Sequence, residues 1–140
     1  MNMRLVISLL RISVFVFVIS LTQDAYYIEG RNPKAWSFSL GLLVFGWLGI
    51  LYGYYAWLAN PLLLISWLAL SKSYFIVGCI ASVGALFFAL SFLSYKSIVT
   101  SELPEFSRIT GYGPAYYLWS ASALISVFSG FLGLFFVNKS

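Results

Sequence analysis

Apolar and polar positions in this chain separate into long blocks. Four apolar blocks stand out: residues 5–21, a stretch within 36–70, residues 74–94 and residues 114–137. The first, third and fourth are each long enough to cross a bilayer once, since a hydrocarbon core about 30 Å thick takes about 20 helical residues. Helix is the default for such a crossing, because each backbone N–H and C=O must find a partner inside the segment. The second block differs. Residues 35–71 carry no charge. As one helix those 37 residues would cover about 55 Å, too long for one ordinary crossing and short for two.

The second block also contains its own interruption at Asn60-Pro61. Proline lacks an amide proton, and its ring disfavours helix at the preceding residue, so a kink or break is expected there. Tyr52, Tyr54, Tyr55 and Trp57 resemble an aromatic belt at a membrane surface. Two forms fit: a long bent helix projecting beyond the bilayer, or a half-helix or re-entrant piece joined to a shorter span.

Charges fill the gaps. Asp24, Glu29, Arg31 and Lys34 balance in residues 22–35, and Lys96, Glu102, Glu105 and Arg108 balance in residues 95–113. If the second block makes one net crossing, Arg4, Lys72 and Lys139 share one side with no acid beside them. The positive-inside rule then makes that side cytoplasmic, with both termini there. Splitting the block at Asn60-Pro61 gives five crossings and puts Lys72 and Lys139 outside with Arg31 and Lys34. The expected fold is therefore an all-α membrane protein. It is one polytopic domain over residues 1–140, a four-transmembrane-helix bundle with a long, Pro-broken second segment. Residues 22–35 and 95–113 form its outer loops. Residues 1–22 have a basic start and an apolar core, but Ser20-Leu21-Thr22 offers no small-x-small cleavage site, so a retained first span is expected. In the second loop, Ser101 is expected to cap a short helix that brings Glu105 and Arg108 onto one face, with Gly111-Tyr112-Gly113-Pro114 ending it.

Composition agrees with lipid as the main partner. The 140 residues are 61% hydrophobic and 9% charged, against about 25% charged in a soluble domain. The net charge of +4 is too dispersed for a nucleic-acid surface. There is no histidine and a single cysteine, Cys79, which excludes Ser-His-Asp machinery and an intrachain disulfide. No HExxH, CxxC or phosphate-binding glycine loop occurs, so no catalytic, metal or cofactor residue is assigned.

Small residues recur at helical spacing instead. They are Gly46, Gly49, Gly53 and Ala56 in the second block, Gly78, Ala81, Ser82, Ala85 and Ala89 in the third, and Ser122, Ser126, Ser129, Gly130 and Gly133 in the fourth. Such faces let helix backbones approach closely in lipid, either within one chain or between chains. Arg11 is the one charge well inside a predicted span. Either it snorkels, or it serves an inward polar stripe with Arg4 and Ser8.

Familiar four-helix membrane families fail on residues: the first span lacks a glutamate, there is one cysteine where a pair is needed, and no span carries a Glu-Arg motif. The segments Gly46-Trp47-Leu48-Gly49, Trp57, Ala59-Asn60-Pro61 and Tyr116-Tyr117-Leu118-Trp119-Ser120-Ala121-Ser122 resemble those of small uncharacterised bacterial four-span membrane proteins. That resemblance covers the middle and last thirds and implies the bacterial inner membrane. Three functions stay open. One is non-enzymatic assembly through helix faces, as a homo-oligomer or with a membrane-protein partner. Another is an oligomeric ion channel lined by Asn60, Ser122 or Ser126. The third is a small transporter or lipophile carrier centred on Arg11 and Asn60, or an immunity protein.

Overall fold

The computed structural model describes residues 2–28, 38–99 and 106–139. Among these residues, five α-helices and three strands follow one another as α1 (Asn2–Ser20), β1 (Tyr26–Ile28), α2 (Ser39–Phe45), α3 (Ala59–Ser71), α4 (Phe75–Ser91), β2 (Ser97–Val99), β3 (Phe106–Tyr112) and α5 (Pro114–Val137). Tighter 3₁₀ turns occupy Gly46–Tyr52, Ala56–Leu58 and Phe92–Ser94. Three helical stretches, Met3–Ser20, Phe75–Ser94 and Pro114–Val137, are long and apolar enough to cross a membrane.

Helices α1, α3, α4 and α5 pack side by side, α1 on α5, α5 on α4 and α4 on α3. Small residues fill the interior and large ones coat the outside. Ala59, Ala85, Ala89 and Ala123 are 0% exposed, whereas Phe15, Ile80 and Phe87 are 65–70% exposed. A soluble core has the reverse arrangement. Lipid tails solvate large apolar side chains, and small ones let helices approach until dispersion and interhelical hydrogen bonds hold them.

Serine supplies those hydrogen bonds. Ser13 Oγ and the Ser122 carbonyl on α5 are 2.7 Å apart, as are Ser122 Oγ and the Ser13 carbonyl, and Trp67 Nε1 donates to Ser13 Oγ at 3.0 Å. The Ser66 and Ser126 hydroxyls hydrogen-bond to each other at 2.7 Å, and Ser129 Oγ donates to the Val6 carbonyl at 2.9 Å. Val6, Ser13 and Ser20 therefore form the inward seam of α1, spaced by seven residues and buried. Arg4, Ser8 and Arg11 lie round the helix from that seam and are exposed. The expected inward polar stripe is thus an outward one, and the Ser8 hydroxyl bonds only its own helix, at the Arg4 carbonyl.

The second apolar block departs furthest from expectation. Asn60-Pro61 does not break a helix; it opens one. Pro61 is the third residue of α3, in the first turn, where its missing N–H leaves no ladder bond unmade. The break comes earlier. After α2 the chain tightens into 3₁₀ at Gly46 and reverses at Gly53, whose φ of +83° suits glycine. Trp57 then clamps the returning arm, with its indole N–H donating to the Leu43 carbonyl at 3.0 Å. Ser39 begins this excursion beside the end of α1, where its hydroxyl donates to the Gln23 carbonyl. Ala56 ends it at the same end of the molecule, its N–H donating to the Tyr95 hydroxyl. Residues 39–58 therefore form a hairpin that makes no traverse. The 13 residues of α3 then run the length of the packed helices, and their 20 Å or so is short for a hydrocarbon core.

The chain is not all-α. Residues 22–35 and 95–113, expected as loops, contribute an antiparallel sheet in the order β1-β3-β2. Tyr26 faces Tyr112, and Ser97 faces Arg108. Arg108 thus sits in a strand, so the expected helix placing it beside Glu105 does not extend there; Ser101 to Glu105 themselves lie outside the described residues, as do Glu29, Arg31, Lys34 and Trp36. The sheet closes one end of the helices through an aromatic cluster in which Phe92 meets Tyr26, Tyr95, Tyr112 and Tyr116 at ring distances of 5.4–5.8 Å. Val6, Leu70 and Phe75 pack at the other end, where the chain places Arg4 near the start of α1, Lys72 just after α3 and Lys139 just after α5.

Two outcomes follow for the sheet end. Gly113 leads into α5 with its amide bonded to the Ala25 carbonyl, and Ala115 N–H bonds the Asp24 carbonyl. A Cβ on Gly113 would collide with that Asp24 carbonyl. Gly113→Ala is expected to cost about 2 kcal/mol or more, since backbone must move on both sides; thermal unfolding in detergent measures it. Burial also pushes the Tyr26 phenol well above its ordinary value. The buried form is neutral, so its contribution is complete below pH about 10 and lost as pH rises further. Stability of the native protein should fall more steeply above that pH than that of Tyr26→Phe.

Candidate functional site

A cavity of about 520 Å³ lies between the 39–58 hairpin, the sheet end and the near ends of α1, α4 and α5. Each wall has a local cause. The reversal at Gly53 folds the hairpin back so that α2 stands off from the helices. Trp57 wedges between the arms because Gly46 has no side chain: a Cβ there would lie 2.7 Å from the Trp57 ring. The Tyr54 ring meets Tyr95 edge-on at 5.0 Å, joining the hairpin to the β2 approach. Burial pushes the Tyr54 phenol above its ordinary value, offset in part by a Ser97 hydrogen bond and reinforced by neighbouring Tyr95, so the group stays neutral.

The lining is almost wholly apolar, and among the described residues no charged side chain belongs to it. Its polar groups mostly donate to backbone already: Ser39 to Gln23, Trp57 to Leu43, Tyr116 to Ala89 at 3.1 Å. Asn60 differs. Trp119 Nε1 donates to its Oδ1 at 2.9 Å. An indole N–H can only donate, so the amide oxygen must face it, and the NH₂ group points elsewhere.

The residues singled out from sequence divide into three groups. Gly46, Gly49, Ala56 and Asn60 all line the cavity. They do not share one helical face with Gly53, since 3₁₀ backbone and the left-handed turn intervene. Ala81, Ala85, Ser122, Ser126 and Gly130 are buried inside this one chain. At Gly130 the fit is tight: a Cβ would lie 2.8 Å from Cys79 Sγ and 3.3 Å from Cys79 Cα. These small faces hold α4 against α5 and α5 against α1. Ser122 and Ser126 likewise bond within the packed interior, to Ser13 and Ser66. Arg11 stands on the outer face of α1 and does not belong to the cavity lining with Asn60.

Trp119, Tyr95 and Trp57 as cavity-forming groups were not legible in sequence. The Asn60–Trp119 pair is 59 residues apart, and no local pattern connects them. Among the described residues no group of three His, Cys, Asp or Glu gathers. Geometry thus defines a helical chain with a lipid-suited exterior and an apolar chamber under a small sheet. No family model matches the chain, and neither a curated protein nor a solved structure matches it.

Proposed function

We propose that this is a non-enzymatic, four-span membrane protein that binds one small lipophilic molecule in the chamber beneath its sheet. The observation that carries the reading is the chamber itself. Its volume falls inside the range of about 300–1,000 Å³ that drug-sized ligands occupy, and its wall is apolar with a few placed polar groups. Helices α1, α4 and α5 span in this reading, and α3 completes a fourth crossing that the short 3₁₀ turn and the aromatic hairpin extend toward the surface. The basic end with Arg4, Lys72 and Lys139 faces the cytoplasm, so the chamber opens at the opposite leaflet. The resemblance of the Trp57, Asn60 and Trp119 segments to small bacterial membrane proteins supports the inner membrane as location. Assembly through small-residue faces has less support, because those faces are occupied within one chain.

Native mass spectrometry of protein released from lipid nanodiscs tests the reading. The wild type should carry one bound small molecule. Leu42→Trp fills the chamber from α2 and should abolish that adduct. Gly41→Trp should act likewise, since a Cβ at Gly41 meets nothing within 4 Å and the helix gains by losing glycine. A wild type without an adduct, and without uptake of an added hydrophobic dye, would refute it.

A further inference from the structure

We infer that the chamber selects an uncharged lipophile bearing an exposed oxygen acceptor, such as a ketone, ester or quinone-type carbonyl. The inference rests on the lipophile-binding reading and adds the chemistry of the ligand. It comes from a count of donors. The bond from Trp119 holds the Asn60 oxygen, so both Asn60 N–H groups are left to donate, and no described residue accepts them. The Tyr95 hydroxyl accepts from the Ala56 N–H at 3.1 Å, which leaves its own proton to donate. Ala56 opens the 3₁₀ turn that leads into α3 and Asn60 lies in the first turn of α3, and both line the chamber together with Tyr95. Two donors thus belong to a largely apolar wall, in which the nearby Tyr54 phenol already has Ser97 as a partner.

Donors on an apolar wall favour a ligand that supplies acceptors, because an unpaired polar group away from water is costly. Charge then narrows the choice. A carboxylate or phosphate would be desolvated opposite neutral donors, with no lysine or arginine among the described lining residues. A neutral carbonyl loses far less hydration and satisfies the same donors. A pure hydrocarbon fills the space and leaves the donors unmet.

The test uses full-length protein in nanodiscs, with a hydrophobic fluorescent dye displaced by a long-chain methyl ketone or by the alkane of equal length. Leu42→Trp protein measures partition into lipid alone. The ketone should displace the dye about tenfold more effectively than the alkane, two hydrogen bonds contributing about threefold each. Asn60→Asp keeps an oxygen for Trp119 and removes the amide donors; Tyr95→Phe removes the other donor. Each should lower the ratio of ketone to alkane displacement about threefold, a ratio in which any general loosening of the chamber cancels. Equal displacement by ketone and alkane in the wild type would overturn the acceptor inference while the chamber reading stands. So would an unchanged ketone preference in both variants. Dye that binds wild type and Leu42→Trp alike, and that neither compound displaces, would overturn the chamber reading itself.

Discussion

Gly130→Leu is expected to be the most damaging single substitution in the helical body, costing about 3 kcal/mol or more and leaving little folded protein in detergent. Gly130 lies against Cys79 of α4, and even a β-carbon would press on Sγ and approach the α4 backbone. A flexible side chain could swing aside; a helix backbone cannot. The only relief is to move α4 and α5 apart, which would also stretch the Ser66–Ser126 and Ser66–Gly78 hydrogen bonds one turn away. Packing contacts fall off steeply with separation, so the loss extends along the seam. Gly130→Ala should show a smaller loss of the same sign. Gly41→Ala is the control: open space surrounds that position, and trading glycine for alanine in helix α2 should be neutral or stabilising by up to about 1 kcal/mol. Thermal unfolding of the three variants, followed by circular dichroism in one detergent, should rank them in that order.

Trp57→Ala is expected to produce the largest change at the chamber. Replacing a packed tryptophan by alanine typically costs about 3–5 kcal/mol. Here it also removes the indole bond to Leu43 and the ring that fills the gap left by Gly46. The effect should be local. Residues 39–58 depend on this clamp, on Ser39 and on the Ala56–Tyr95 bond, whereas α1, α4 and α5 hold one another independently. Hydrogen exchange should therefore accelerate across 39–58 and stay unchanged along α4 and α5, the signature of a local opening. Uniform acceleration over the whole chain would show that the hairpin is integral to the helical packing.

Why the sequence revealed some of this and hid the rest is a matter of range. Long apolar blocks report their own environment, so residues 5–21, 74–94 and 114–137 could be read as helices from composition alone. Small residues at helical spacing also marked true contact lines on α4 and α5. What they could not say is whether the partner helix belongs to the same chain, because Ala85 or Gly130 looks the same against either. On α1 the seam Val6, Ser13, Ser20 was present at seven-residue spacing, but Arg4 and Arg11 draw the eye to the opposite side. Proline misled for a positional reason: Pro61 breaks a helix only in its interior, and the chain starts α3 two residues earlier. The true interruption, at Gly46 to Gly53, depends on Trp57 folding back, a contact no periodicity encodes. The sheet was missed because charged residues suggested loops, while Tyr26-Tyr27-Ile28 and Ser97-Ile98-Val99 are too short to show alternation. Their aromatic and β-branched content was the available signal.

The chamber as the binding site for a lipophile is best tested by photo-crosslinking in nanodiscs, with a ketone carrying a diazirine on its alkyl chain. Labelled peptides should map to the chamber wall, at Leu42, Trp57 and Trp119, and that labelling should disappear in Leu42→Trp protein. Labelling confined to outward residues such as Phe15, Ile80 and Phe128, and unchanged by Leu42→Trp, would contradict the account.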